Sequence, residues 1–172
     1  MSERIVYTFY ESPWAELLIA SSARGLCLVQ FDTSLARARA ALAPRWSCAQ
    51  WIESRRENCA VLAALRDYFR GHCQQFHLPL DLRGTPFQLA VWRALRRIPY
   101  GETRSYKQLA LAAARPRAFR AVGMACRANR IPIIIPCHRV LGSDGSLGGF
   151  GGGLTLKRQL LAHEQRFAHR HD

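Results

Sequence analysis

An apolar run enclosed by two prolines constrains this chain more than any other feature of its sequence. Residues 133–135 are all isoleucine, they lie between Pro132 and Pro136, and the chain continues directly into Cys137 and His138. Proline lacks a backbone donor and restricts the residue before it, so a helix is disfavoured here. We predict a buried extended segment that delivers Cys137. Catalysis, stoichiometric capture of a group and plain core packing all stay open for its thiol at this point.

The cysteines by themselves indicate neither a disulfide scaffold nor a metal site. The chain has six, at positions 27, 48, 59, 73, 126 and 137, and none is spaced as a CxxC pair. A chain of 172 residues without a signal-peptide pattern is large enough to fold around an apolar core. Burial as a small apolar side chain is the default for each cysteine, so a functional role needs support from neighbouring residues.

Positive charge is concentrated in the second half of the chain. Residues 1–80 contain nine Lys and Arg against seven Asp and Glu, a net charge of +2, whereas residues 81–172 contain sixteen against five, a net charge of +11. Between Leu82 and Arg139 the single acidic residue is Glu102. A merely basic, solvated face is one explanation, but the coincidence with a helical motif favours a surface for nucleic acid.

The first half, up to about residue 80, has the pattern of a small α/β scaffold. Three β-branched or aromatic stretches are separated by tight turns, which predicts an antiparallel meander. These stretches are residues 5–10, 15–20 and 26–31. Helical patterns cover residues 34–43 and 59–70 and end at Pro44 and Gly71.

Beyond residue 80 the pattern changes to helices. Thr85 and Pro86 form a helix start, and we predict that this helix continues to Ile98. Ser105 caps a second helix, and a third covers residues 118–127, so the two form a helix-turn-helix pattern. The chain is therefore predicted to be an α+β protein with an α/β scaffold domain, residues 1–80, and a mostly helical domain, residues 81–172.

On a helical wheel the third helix presents two arginines around a glycine, since Arg120, Gly123, Met124 and Arg127 share one arc. A glycine inside a helix costs stability, and close approach of another backbone would be a reason to keep it. The opposite arc is predicted to be buried, and it consists of Ala118, Phe119, Ala121, Val122, Ala125 and Cys126.

Two features that follow Cys137 can complete a site. Five glycines surround Phe150 within residues 148–153, so this loop can line a site that a flat group approaches closely. The last helix, predicted over residues 154–164, carries Glu164 within its stripe of leucines, where a carboxylate needs a partner such as histidine. If the helix frays earlier, the carboxylate reaches water. The stripe consists of Leu154, Leu156, Leu160 and Leu161.

Cys137 needs a base or a positive field to act as a nucleophile, because the thiolate is the reactive form. His138 is adjacent, but neighbours in a strand point to opposite faces, so pairing requires a turn or a bridging water. A carboxylate behind the imidazole would fix its tautomer, and Glu164 is the candidate.

The segment Ile135-Pro136-Cys137-His138-Arg139-Val140 resembles the signature of the O6-alkylguanine-DNA alkyltransferases, also called methylated-DNA–protein-cysteine methyltransferases. The likeness extends to residues 101–106, 120–123, 129 and 160–164. It implies an RNase H-like N-terminal domain and a winged-helix-like C-terminal domain, and a direct-reversal DNA repair function.

The resemblance implies a role for each matching residue. Cys137 would accept the alkyl group irreversibly, once per molecule, from O6-alkylguanine or, as a lesser substrate, O4-alkylthymine. His138 would act as its base through a water, Glu164 would orient the imidazole, and Asn129 would stabilise the turn that carries the segment. Contacts to double-stranded DNA in the minor groove and to a flipped base would come from Tyr106, Arg120, Gly123, Arg127, Val140, Phe150 and Gly151.

Within that DNA-binding set the resemblance implies distinct tasks. Arg120 would replace the extruded base in the stack, Tyr106 would assist flipping and polarise the guanine, and main-chain groups near Val140 would read the guanine edge. Phe150 stands where a tyrosine is common and Gly151 where some members have a serine, so the contacts to the base differ from the usual pattern.

Of the positions at which some members bind zinc, only Cys27 could correspond, so no metal and no cofactor are expected. The chain has no apolar run long enough for a membrane span. We expect a cytoplasmic monomer with no membrane partner. Two alternative functions are a non-catalytic protein that binds alkylated DNA, although such relatives lack the cysteine, and a Cys-His hydrolase, which would need an oxyanion hole.

Overall fold

The β-branched stretches near the N-terminus form the predicted antiparallel meander in the computed structural model, which describes residues 3–168. Its strands are β1 (Arg4–Glu11), β2 (Glu16–Ser22) and β3 (Gly25–Phe31). The turn before β3 requires glycine, because Gly25 has a φ of +131° and a Cβ there would lie 2.3 Å from the carbonyl oxygen of Pro79.

A fourth strand, β4 (Gln50–Glu53), pairs parallel with β1 and gives the sheet order β3-β2-β1-β4. The sequence prediction missed this short strand. Helix α1 (Leu35–Leu42) precedes β4, and helix α2 (Cys59–Phe69) follows it, as the helical patterns predicted. One core of this unit consists of Ile5, Leu18, Ala20, Cys27, Leu28, Ala38, Leu42 and Trp46.

The chain divides into two compact units, residues 1–83 and 84–172, and the second is mostly helical. The α+β class is confirmed. The helices of the second unit are α3 (Pro86–Leu95), α4 (Tyr106–Ala112), α5 (Phe119–Arg127) and α6 (Gly153–Ala168). α3 ends before the predicted Ile98, because turns replace the helix there, whereas α6 extends beyond the predicted 164.

Local capping explains where α3 and α4 begin. Thr85 with Gln88, and Ser105 with Gln108, form reciprocal capping boxes. Trp92 Nε1 donates to the carbonyl oxygen of Ala125 at 2.9 Å and ties α3 to α5. α4 and α5 are the two helices of the helix-turn-helix.

A pair of two-residue strands brings distant parts of the second unit together. β5 (Arg104–Ser105) pairs parallel with β6 (Val140–Leu141). Because Ser105 is the N-cap of α4, this pairing fixes the start of α4 beside the residues that follow Cys137.

The stretch between the prolines is buried as predicted, but it is not extended. The backbone N–H of Ile135 donates to the carbonyl oxygen of Ile131 at 2.9 Å, and Ile133 has a φ of +73°, so the run folds into a turn. A 3-10 turn, Cys137–Arg139, follows directly. The prediction of an extended segment was wrong, because hydrogen bonds from the Asn129 side chain close the backbone into a turn.

Two wheel predictions also fail in part. On α5 the side chains of Phe119 and Ala121 are exposed, and only Val122, Ala125 and Cys126 are buried, because the helix packs along a narrower arc against α3 and α4. On α6, Leu154 is 41 % exposed in the first turn, whereas Lys157 is fully buried. The burial of this lysine was not predicted.

Within residues 3–168, none of the helices is both long and apolar enough to span a bilayer.

Candidate functional site

Asn129 closes the turn that presents Cys137. Its Oδ1 accepts the backbone N–H of Ile131 at 3.0 Å, and its Nδ2 donates to the carbonyl oxygen of Ile135 at 2.8 Å. Both ends of the buried turn are thereby held by one amide. A β-branched residue with positive φ, such as Ile133, is strained, so its neighbours must fix it in place.

The Cys137 thiol lies partly exposed at the end of this turn and receives hydrogen bonds from fixed donors. Asn129 Nδ2 is 3.2 Å from the sulfur. Burial raises the pKa of Cys137, and the Asn129 amide, the Lys157 ammonium and nearby backbone N–H groups oppose that rise. The resting group is therefore a protonated thiol that must lose its proton to react.

Beside His138 and Arg139 lies a buried carboxylate, each of whose oxygens is contacted by two donors. Glu164 Oε1 lies 2.7 Å from His138 Nε2 and 3.0 Å from Arg139 Nη2. Its Oε2 accepts from Arg139 Nε at 2.7 Å and from the backbone N–H of Gly101 at 3.2 Å. Burial disfavours the charged form, but His138 and Arg139 outweigh it and hold the pKa of Glu164 far below its usual value.

This arrangement determines the tautomer of His138. Burial lowers the pKa of His138 although Glu164 opposes the shift, so the ring is neutral near pH 7. An ionised Glu164 only accepts, so Nε2 carries the proton and Nδ1 carries the lone pair. Within the described residues, the buried Nδ1 has no hydrogen-bond partner. A water is the natural partner for such an atom, and it could relay a proton to Nδ1.

These shifts predict that acid destabilises the protein. Both the Glu164 carboxyl, with an ordinary pKa of 4.5, and the His138 imidazole, with an ordinary pKa of 6.5, have lowered pKa values in the folded state. The unfolded chain therefore takes up protons first, and the stability is complete above those ordinary values and falls as the pH drops below 6.5 and then 4.5.

Urea denaturation at a series of pH values checks this expectation. His138→Gln is the matched control. Because its side chain stays neutral, the free energy of unfolding should no longer change with pH between about pH 5 and 7, but it should still fall at lower pH. A wild-type curve as flat as that of the variant would contradict the lowered pKa of His138.

Cys137 opens into a cavity of about 240 Å³. Its wall combines aromatic, basic and glycine residues from α4, from α5 and from residues 148–153, which we call the glycine loop. The lining residues are Tyr106, Arg120, Gly123, Met124, Cys126, Arg127, Cys137, Gly148, Gly149, Phe150 and Gly151. A cavity whose lining includes a nucleophile, two aromatic rings, several glycines and two arginines suits a planar group attached to an anionic chain.

One of the lining glycines gives the Tyr106 ring its space. Gly148 has a φ of +62°, and a Cβ there would lie 3.0 Å from the Tyr106 hydroxyl. A side chain at this position would press on the Tyr106 ring, and glycine leaves that ring its room. Burial raises the pKa of Tyr106, so its phenol stays a hydrogen-bond donor at neutral pH. Phe150 stands edge-on to the His138 ring, with centroids 6.4 Å apart.

Most residues that the sequence singled out line this one cavity or support it. Val140 differs, because its side chain is fully buried away from the cavity and its carbonyl oxygen accepts from Lys157 Nζ at 2.6 Å. Arg139 was not predicted as the second partner of Glu164, although it stands inside the signature segment. The burial of Lys157 and the presence of Cys126 in the cavity wall were not predicted either.

Two family models match this chain in succession. Residues 5–82 match the "6-O-methylguanine DNA methyltransferase, ribonuclease-like domain", and residues 86–166 match the "6-O-methylguanine DNA methyltransferase, DNA binding domain".

Individual relatives agree with these matches. The methylated-DNA–protein-cysteine methyltransferase of Methanosarcina barkeri is 43% identical over 92% of this chain and 96% of its own length. That of Haemophilus influenzae is 43% identical over 94% of this chain and 87% of its own length. The crystal structure of Mycobacterium tuberculosis OGT in complex with DNA is similar with a TM-score of 0.81 and 38% identity, covering 95% of this chain and 94% of that one.

Proposed function

The chain belongs to the methylated-DNA–protein-cysteine methyltransferase family and repairs DNA by moving an alkyl group onto a cysteine of its own, and we propose that this cysteine is Cys137. The observation that carries the proposal is the position of its sulfur. It is held by Asn129 at 3.2 Å, opens into the cavity, and lies next in sequence to His138, whose imidazole is backed by Glu164.

The transfer is a single displacement at the alkyl carbon. The thiol proton leaves through a water to His138 Nδ1, the sulfur–carbon bond forms, and the bond from that carbon to guanine O6 breaks. The electron pair stays on the base, which takes up a proton to become ordinary guanine. A thioether has no good leaving group, so Cys137 is not regenerated and each molecule acts once.

Glu164 and Asn129 support this chemistry without touching the base. Glu164 keeps His138 in the tautomer with a free Nδ1 and stabilises the imidazolium that forms. Asn129 holds both the strained turn and the sulfur, so the nucleophile is fixed before the substrate arrives.

We assign DNA binding and alkyl acceptance to the second domain, residues 81–172, and a scaffold role to residues 1–80. Exposed Arg120 and Arg127 on α5 contact the DNA from the minor groove, Arg120 takes the place of the extruded base, and Tyr106 assists its entry into the cavity. The net charge of +11 on that half attracts the phosphate backbone.

Gly123 supports the groove-binding role of α5. A Cβ on Gly123 would meet only the Tyr106 ring, at 3.8 Å, which is an ordinary contact. Nothing within the described residues therefore requires glycine at this helical position, although glycine costs a helix about 0.5–1 kcal/mol relative to alanine. Close approach of DNA to α5 explains it.

Gly123→Ala is accordingly expected to leave the protein as stable as before or slightly more stable, and to weaken binding to duplex DNA by about tenfold, the equivalent of ~1.4 kcal/mol. Thermal melting and DNA titration at fixed salt measure the two effects. Ala121→Ser, an exposed position of α5 outside the cavity, is the control and should keep full affinity. Unchanged affinity in Gly123→Ala would remove this support for groove binding.

The preferred substrate is O6-alkylguanine in double-stranded DNA, with O4-alkylthymine as a lesser one, and the protein acts as a cytoplasmic monomer without metal or cofactor. All six cysteines are free, which is typical of a reducing compartment. Single-turnover transfer from duplexes that carry one or the other lesion tests the preference. Faster transfer from O4-methylthymine would reverse it, and repeated turnover would favour a hydrolase instead.

A further inference from the structure

Lys157 is a fully buried ammonium whose hydrogen-bond partners are backbone carbonyls. It lies on α6, two turns before Glu164, and its Nζ donates to the carbonyl oxygen of Val140 at 2.6 Å and to that of Leu147. Within residues 3–168 no carboxylate forms an ion pair with it. A buried charge without a counter-ion is costly, and burial lowers the pKa of Lys157, while the thiols of Cys137 and Cys126 oppose that shift.

The charges around Cys137 leave Lys157 uncompensated. Glu164 is neutralised by Arg139, with which it shares two hydrogen bonds, and His138 is neutral. The ammonium acts to lower the pKa of the thiols of Cys137, in the 3-10 turn, and Cys126, on α5, and that of the His138 imidazole. A thiolate at Cys137 would be the missing counter-ion.

The same ammonium connects two segments of the chain next to the cavity. Val140 belongs to β6, directly after the turn that carries Cys137, and Leu147 directly precedes the glycine loop. One side chain therefore ties the acceptor segment to the wall that faces the base.

We propose that Lys157 is a positioning residue for alkyl transfer, whose buried charge stabilises the sulfur of Cys137 as it loses its proton and whose hydrogen bonds hold the glycine loop against the cavity. This inference rests on the proposed role of Cys137. Lys157 neither gains nor loses a proton in the step, because the thiol proton goes to His138. Burial raises the pKa of the Cys137 thiol, and its interaction with Lys157 offsets part of that rise.

The test compares Lys157→Met and Lys157→Gln, which remove the charge, with Lys157→Arg, which keeps it. The readout is the pH dependence of Cys137 carbamidomethylation by iodoacetamide, resolved from the other cysteines by peptide mass. Both neutral variants should shift this profile to higher pH by about one unit, so that modification near pH 7 slows about tenfold. Lys157→Arg should leave the profile near that of the wild type. Gln can still donate to one carbonyl, so it serves where Met fails to fold.

Single-turnover alkyl transfer, measured on the same variants, should slow in parallel. Folded neutral variants with an unmoved iodoacetamide profile would overturn the electrostatic role, and a shift of equal size in Lys157→Arg would reduce Lys157 to a packing residue. The iodoacetamide profile needs no DNA. If Cys137 proved not to be the alkyl acceptor, the profile would still report on Lys157, so failure of the proposed function and failure of this inference are distinguishable.

Discussion

Replacing Cys137 by serine is expected to abolish alkyl transfer while leaving DNA binding intact. A serine hydroxyl is a weak nucleophile at its ordinary pKa, and His138 is placed to take a proton from a thiol. Enzymes that lose their nucleophile lose roughly 10⁶-fold in rate, which puts transfer below detection. The replacement is small and partly exposed, so the fold and the DNA-binding surface of α5 should be unaffected. Single-turnover transfer of label from a methylated duplex and a DNA titration measure the two properties.

Cys126 provides the matched control, because it lines the same cavity. Burial raises its pKa to about 12, and Asn129 contacts Cys137 rather than Cys126. Cys126→Ser should therefore transfer alkyl groups at close to the wild-type rate. If Cys126→Ser lost transfer and Cys137→Ser kept it, the acceptor would be misassigned. Loss in both variants with intact folding would show that the two thiols act together.

Removal of the Glu164 carboxylate is expected to damage both stability and chemistry. Glu164→Ala leaves the buried Arg139 guanidinium without its counter-ion, and breaking such a pair costs about 3–5 kcal/mol of the free energy of unfolding. It also frees the His138 ring, whose contribution as a general base is worth about 10²–10⁴-fold in rate. Urea denaturation and single-turnover transfer measure these losses.

A double replacement separates the two effects. In Glu164→Leu/Arg139→Met the whole ion pair is exchanged for apolar groups of similar volume, a change that is often neutral or stabilising. Stability should return toward the wild-type value, whereas transfer should stay as slow as in Glu164→Ala, because His138 still lacks its carboxylate. Recovery of both properties together would mean that Glu164 contributes to the structure alone.

Features with a local signature could be predicted from the sequence. The meander followed from β-branched stretches between turns, and the starts of α3 and α4 followed from Thr85 and Ser105 as capping residues. Glu164 was identified because a carboxylate within a leucine stripe needs a partner, and the structure has two, His138 and Arg139.

Features that depend on hydrogen bonds from side chains to backbone could not be predicted from residue patterns. From its own residues the isoleucine run was predicted to be extended, and only the family resemblance implied the turn that Asn129 closes through the backbone of Ile131 and Ile135. Such hydrogen bonds compete with regular structure and leave no periodic pattern. Lys157 is buried against backbone carbonyl groups, which every residue has. No sequence pattern therefore distinguishes it from an exposed lysine.

The short strand β4 was missed for a related reason. The two end residues of β4 are exposed and the two central ones are half-buried. The strand is held by its parallel pairing with β1, in which Arg4 lies opposite Gln50 and Tyr7 opposite Glu53. A parallel partner more than forty positions away in the chain cannot be recognised from four residues of local sequence.

The central claim, that Cys137 accepts one alkyl group per molecule, is tested most directly by mass spectrometry of the wild-type protein after incubation with an excess of O6-methylguanine duplex. The account predicts a gain of one methyl group per chain that does not increase with time, located on the peptide that contains Cys137. A methyl group on Cys126 or any other residue, or repaired duplex in molar excess over the protein, would contradict it.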